Sequence, residues 1–319
     1  MMWKLWNRLF GRNTPAALTA STNALPHGLR AVCETVSQGS VSAQVLQADW
    51  ARLARFIADN PDQASAHLTH HNGYVREAAL QCLPDQPVDA ALVATVMLRC
   101  NDWVPEVQAA ARTVLPRLVA GLTPDQLAAL LPFALGPARA WRRGGSMSVA
   151  ALMAHREWTP ALRDYFLTGT QGPLARSLRQ VLASADLDDA LPRLAIEAKS
   201  VFVRSVAAEA VLAGEARRVT GQQWRWIDKA MGIRKREAVV AKRGVTVTPD
   251  GRLQVLRACV MDKAVPMRLL AADHLTRTGP SPDTEPLLHR LRSDRAGSVR
   301  KRMDFFDQRW PSGAGKDEK

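Results

Sequence analysis

The chain has 319 residues, enough for one elongated or two compact domains, and is 47% hydrophobic but only 6% aromatic. With Ala, Leu and Arg abundant and β-branched runs scarce, this is the composition of packed helices, and no apolar run approaches the roughly 20 residues of a membrane span. The net charge of +13 is lopsided: residues 13–216 hold 17 basic and 18 acidic side chains, whereas 217–302 hold 20 and 8. Such a field favours acidic partners.

The first twelve residues are amphipathic as a helix, with Trp3, Trp6, Leu9 and Phe10 on one face and Lys4, Arg8 and Arg12 on another. This segment either meets an anionic membrane surface, docks in a partner's groove, or caps the first repeat. No apolar stretch follows it, so no secretory signal is read, and residues 13–26 read as a linker. Cys33, Cys82, Cys100 and Cys259 lie far apart, which points to free thiols in a reducing cytoplasm. His67, His70 and His71 have a spacing that can gather imidazoles, but Asp62 and Glu77 show no ligand spacing beside them. A polar helix end is the preferred reading, and neither a metal nor a cofactor is expected.

From residue 71 onward the chain repeats every 32 residues. Val75-Arg76, Val107-Gln108, Val203-Arg204, Lys235-Arg236, Met267-Arg268 and Val299-Arg300 fall at multiples of that period. Three places after the Arg column stand Ala79, Ala111, Ala207, Val239, Ala271 and Met303, and seven after it Leu83, Leu115, Val211 and Leu275. Separations of three, four and seven make one apolar helix face. Asp102, Asp262 and Asp294, six places before it, are placed to cap the helix start. A second helix precedes each of these, with start signals at Pro87–Asp89, Thr123–Gln126, Asp186–Asp189 and Ser281–Asp283. The pattern degrades over 136–185, where Trp141–Gly145 and Gly169–Pro173 suggest longer loops. Val245–Gly251 reads as a brief extended linker before a helix from about Arg252.

These columns resemble the HEAT-repeat family, in its short-repeat, phycobilisome-lyase-like branch. The motif Asp-x-x-x-x-Val-Arg-x-x-Ala-x-x-x-Leu is carried by Asp294–Arg300 and, with Met for Val, by Asp262–Leu275. The resemblance implies an all-α solenoid of seven to eight helix pairs over 27–310, degenerate at 27–69 and 136–185, with a tail at 311–319. It also implies that Arg76, Arg204, Arg236, Arg268 and Arg300 form a structural ladder with Asp102, Asp262 and Asp294.

For function, Trp224 and Trp226 stand in the densest basic run, with Arg225, Arg234, Lys235, Lys242 and Arg243. Arg252, Arg257, Lys301 and Arg302 follow, and a shared solenoid face would make of them a basic groove. Read as a helix, the segment cannot turn both tryptophans inward. The expectation is a non-enzymatic cytoplasmic scaffold whose concave face holds an acidic protein or a nucleic acid. A second, slighter resemblance is to HEAT-like alkylpurine DNA glycosylases, which use a Trp and an Asp one turn apart, as Trp224 and Asp228 would be. No nucleophile elbow, phosphate loop or His/Asp/Ser pattern is present.

Overall fold

A computed structural model describes residues 52–84, 88–136, 138, 141 and 143–311. The amphipathic stretch at 1–12, the linker at 13–26 and the tail beyond Pro311 lie outside the described residues. The chain forms two compact units, divided between Ala161 and Leu162. Helices over 52–59 (α1), Ala64–His67 (α2), Gly73–Gln81 (α3), Ala90–Arg99 (α4), Pro105–Ala120 (α5), Pro124–Leu135 (α6) and Gly145–Met153 (α7) belong to the first. The division falls inside α8 (Trp158–Thr168). The second unit continues with Leu174–Val181 (α9), Leu191–Glu197 (α10) and Val201–Ala213 (α11). After two strands, Glu215–Asp228 (β1) and Ile233–Gly244 (β2), come Pro249–Met261 (α12), Val265–Thr278 (α13), Glu285–Arg292 (α14) and Gly297–Arg309 (α15). None of the described helices is long and apolar enough to cross a membrane.

Helix starts follow local chemistry. Thr123 and Gln126 form a full capping box ahead of α6, with Pro124 at the first turn. Asp89 accepts the Leu92 N–H at the head of α4. Thr248 does the same for Gly251 ahead of α12, so that helix begins at Pro249 and Val245–Thr248 is a short non-helical link. The Ser281 signal works differently: Ser281 and Thr284 bond to each other, and α14 begins at Glu285. The irregular 136–185 stretch holds α7, α8 and α9.

Within each unit the helices pack in two rows. α3, α5 and α7 are successive neighbours, as are α4 and α6. In the second unit α9, α11, α13 and α15 form one row and α10, α12 and α14 the other. The repeat columns supply the buried faces. Val75, Val107, Val203, Met267 and Val299 are all buried, and so are Ala79, Ala111, Ala207 and Ala271. The missing bulk of alanine lets neighbouring helices approach, while each fully buried Val or Met contributes roughly 1.5–3 kcal/mol.

The Arg column makes one repeated set of bonds. Nη1 of Arg76, Arg204, Arg268 and Arg300 each donates to the carbonyls five and six residues upstream. Gln108 reaches the Asp102 carbonyl in the same way. The other guanidinium nitrogens grip both oxygens of an aspartate: Arg76 that of Asp102, Arg204 that of Asp262, Arg268 that of Asp294. These aspartates are not N-caps. Each accepts the N–H two residues on, at Val104, Ala264 or Ala296, which is itself the residue preceding the helix.

The fold is mostly helical, as expected, with one small two-stranded sheet among the described residues, and the strands correct one expectation: Lys235-Arg236 is not a repeat helix. Arg76–Asp102 and Arg268–Asp294 are 26 residues apart, whereas Arg204–Asp262 are 58 apart, longer by 32, one period. A two-stranded insertion between α11 and α12 has the length of one repeat and keeps the later copies in phase. Arg236 and Val239 therefore fall in their columns by coincidence, and both are exposed on β2.

His274 on α13 yields a pH prediction. Burial, with Arg277 and Arg252 nearby, pulls its imidazole from 6.5 down to about 4. The unfolded chain binds the proton first, so this contribution is whole above pH 6.5 and lost as pH falls towards 4. The loss is up to about 3 kcal/mol. Urea midpoints between pH 7 and 4 fall in the wild type, and His274→Leu shows a shallower decline; equal slopes refute the assignment.

Candidate functional site

The insertion is a β-arm. Val219, Thr220, Trp224, Trp226, Ile233, Val239 and Val240 are strand formers, and Asp228 to Gly232 makes the reversal. Asp228 Oδ1 accepts the N–H groups of Ala230 and Met231 at 2.8 and 3.0 Å, and Gly232 takes the φ of +66° that closes the turn. The strands run antiparallel from Glu215↔Gly244 to Asp228↔Ile233, with irregularities at Val219/Gly221 and Trp226/Asp228. Twelve residues of β2 span roughly 40 Å. Nearly every side chain from Arg217 to Lys242 is exposed, on both faces.

An isolated two-stranded ribbon is marginal in water, so the arm needs local support. At its base the Val245 N–H donates to the Gly214 carbonyl at 2.9 Å, and Ala216 and Val245 are buried. Gly214 itself ends α11 in the left-handed region, φ +66°, which turns the chain into β1. Arg243 grips both oxygens of Asp188 at 2.7 and 2.6 Å and donates to the Leu182 carbonyl at 3.1 Å. The Asp188 hydrogen bonds push the Arg243 guanidinium up. Glu215 accepts from Arg217 and pairs with Lys242, and the Arg217 bond holds its carboxyl below the ordinary range.

Further out, cross-strand partners share a face. Trp224 lies opposite Arg236, and Trp226 opposite Arg234. The Arg234 guanidinium sits 4.5 Å from the centre of the Trp224 ring and 6.0 Å from that of Trp226, while Arg236 lies 4.9 Å from Trp224. Cations over indole faces at these distances are attracted by the ring quadrupole. Both tryptophans remain about half exposed, at 52% and 50%. The opposite face pairs Arg225 with Lys235 and Gln223 with Glu237, and Arg225 reaches Glu237 at 3.4 Å. The tip exposes Ile227 and Met231.

Between Glu215 and Gly244 there are nine basic and three acidic side chains. Lys242 and Arg243 belong to the base and are held by Glu215 and Asp188. Arg218, Lys229, Arg234, Lys235 and Arg236 make no ion pair among the described residues, and all but Arg218 lie in the distal half. The other sequence candidates are elsewhere: Arg252 and Arg257 on α12, Lys301 and Arg302 on α15, with Arg302 paired to Asp273 at 2.6 Å.

Three sequence expectations change. The tryptophans lie on a strand, where two residues apart means the same face. Trp224 and Asp228 are not one helical turn apart, and Asp228 is occupied with the turn amides, which removes the arrangement behind the glycosylase resemblance. Arg236, assigned to the ladder, belongs to the aromatic stack. Asp188 reads in sequence only as part of a helix start and Glu215 carries no signal, yet both fix the arm's base. The three histidines meet only in part: the His70 and His71 ring centres are 4.3 Å apart, His70 Nδ1 accepts from the Asn72 N–H, and burial pulls His70 down to about 4. No group of three metal-ligating side chains occurs among the described residues.

No family model matches the chain, and no curated protein does. Among solved structures, the crystal structure of an engineered protein is similar at 13% identity over 89% of this chain and 96% of that one. Its TM-score of 0.19 is too low to bear on fold or function.

Proposed function

We propose that this chain is a non-enzymatic HEAT-type α-solenoid, a scaffold that holds an acidic macromolecular partner against its β-arm. The solenoid reading is supported by the two-row packing and by the Arg and Asp bonds that recur from copy to copy. The observation that carries the function is the arm. Four basic side chains in its distal half, Lys229, Arg234, Lys235 and Arg236, have no carboxylate partner among the described residues, and the ribbon buries no apolar face against the described core. Exposed charge of one sign held on an ordered element is a footprint for a polyanion. These unpaired charges support a site on the arm rather than on a concave helical face.

The test is binding of the full chain to a single-stranded oligonucleotide, heparin and polyglutamate as salt is raised. The affinities fall steeply with salt, by about 0.7 in the log–log slope for each single-strand phosphate that the arm's cations neutralise, because that contact releases condensed counterions. Arg234→Glu, Lys235→Glu and Arg236→Glu together lower affinity at least about 100-fold at low salt, since each reversal replaces attraction by repulsion. Absence of binding to all three polyanions at low salt sinks the reading.

A further inference from the structure

We infer that the arm's partner is single-stranded nucleic acid, with an unpaired base stacked in the slot between Trp224 and Trp226. The inference rests on the polyanion reading above and names the polyanion. Residues two apart on a strand are separated by about 6.6 Å, close to two aromatic stacking distances. Trp224 and Trp226 stand on one face at that separation, half exposed, with no core to fill. One flat cation, the Arg234 guanidinium, already lies over both indoles, 4.5 Å from the Trp224 ring centre and 6.0 Å from that of Trp226. A nucleobase is planar, has the same thickness, and gains from both an indole and a guanidinium partner.

Charge is placed to match. Arg236 lies 4.9 Å from the Trp224 ring centre, and Arg225 and Lys235 project from the opposite face at the same level. A strand whose base enters the slot thus brings its flanking phosphates to Arg236 on one side and Arg225 or Lys235 around the ribbon edge. Other acidic partners use less of the site. A duplex keeps its bases inside its own stack, and an acidic peptide satisfies the cations but leaves the indole faces without a planar guest. An anionic lipid surface would engage Ile227 and Met231 at the tip ahead of the stack.

The test compares four probes on the wild-type chain at one salt concentration: a 20-nucleotide thymidine strand, an abasic strand of equal length, a duplex, and phosphatidylglycerol vesicles. The thymidine strand binds tightest. Trp224→Ala and Trp226→Ala each weaken it by about 5- to 150-fold. Neither changes binding to the abasic strand, which reads charge alone, and this unchanged binding shows that the arm still forms. Trp224→Phe with Trp226→Phe retains most of the base-dependent affinity, since the π faces remain. Equal wild-type affinity for the thymidine and abasic strands overturns the base slot while leaving the polyanion reading intact. Tighter binding to duplex or vesicles overturns it too, in favour of that partner. No binding to any of the four removes both readings together.

Discussion

Replacing residues 215–244 by a two-residue Gly-Ser link leaves a folded protein that no longer binds polyanions. The ends to be joined are already neighbours, because the Val245 N–H bonds to the Gly214 carbonyl at 2.9 Å. Nothing in the helical rows is interrupted: Arg204 bridges past the insertion to Asp262, and α11 packs on both α12 and α13. What is lost at the base is the burial of Ala216 and the Arg243–Asp188 pair, whose side chains are 26% and 21% exposed. A pair that exposed contributes on the order of 1 kcal/mol, which shifts the melting temperature by about 2–4 °C in a unit of this size. The affinity for a single-stranded oligonucleotide drops at least about 100-fold, because the unpaired distal cations leave together. A melting temperature lower by more than about 10 °C shows that the arm is part of the core. Retained binding assigns the site to helical residues such as Arg257 and Lys301 instead.

The same insertion decides what the sequence could and could not reveal. Val75, Ala79 and Leu83 and their later copies were legible because a buried helix face must repeat at three, four and seven, and the 32-residue period prints that face several times. The Arg–Asp bonds were legible only through family resemblance, since no periodicity says that Arg76 reaches the next repeat. The arm hid because its length equals the period. Arg236 and Val239 landed in the right columns, and the count of copies ran on without a gap. Its own signals are short: Trp224 and Trp226 two apart, and the β-branched Val219, Val239 and Val240, with Asp228 and Gly232 between them as the turn. Against composition that favours helices throughout, one pair of alternating tryptophans and three valines are a weak signal. The candidate side chains of the arm are thus present in the sequence reading, but on the wrong backbone. On a helix Trp224 and Trp226 diverge; on a strand they share one exposed face with Arg234 and Arg236.

Asp102→Ala is the most damaging single substitution among the ladder residues, costing about 3–5 kcal/mol. Asp102 sits between two guanidiniums: Arg76 donates to both its oxygens at 3.0 and 2.8 Å, and Arg99 adds a third bond at 2.8 Å. Side-chain exposure is only 3% for Arg76 and 1% for Asp102. Burial pushes the Asp102 carboxyl up, but the Arg76 hydrogen bond, the Val104 N–H and the nearby cations more than offset it, and it titrates below its ordinary range. Removing the carboxylate leaves the buried Arg76 and the partly exposed Arg99 guanidiniums near each other without that counter-charge. Asp102→Asn keeps an acceptor for one of them and costs less. Arg76→Met costs less still, because Arg99 continues to neutralise the aspartate and a methionine stem fills the apolar part of the space. Arg236→Ala provides the contrast. It occupies the ladder column by sequence count but lies exposed on β2, so its removal changes stability by no more than about 0.5 kcal/mol. Urea unfolding of the full chain, followed on the first unit's transition for the Asp102 and Arg76 variants and on the second's for Arg236, gives the ranking. An Asp102→Ala chain within 1 kcal/mol of wild type removes the ladder's structural role, and a large cost at Arg236 returns β2 to the repeat.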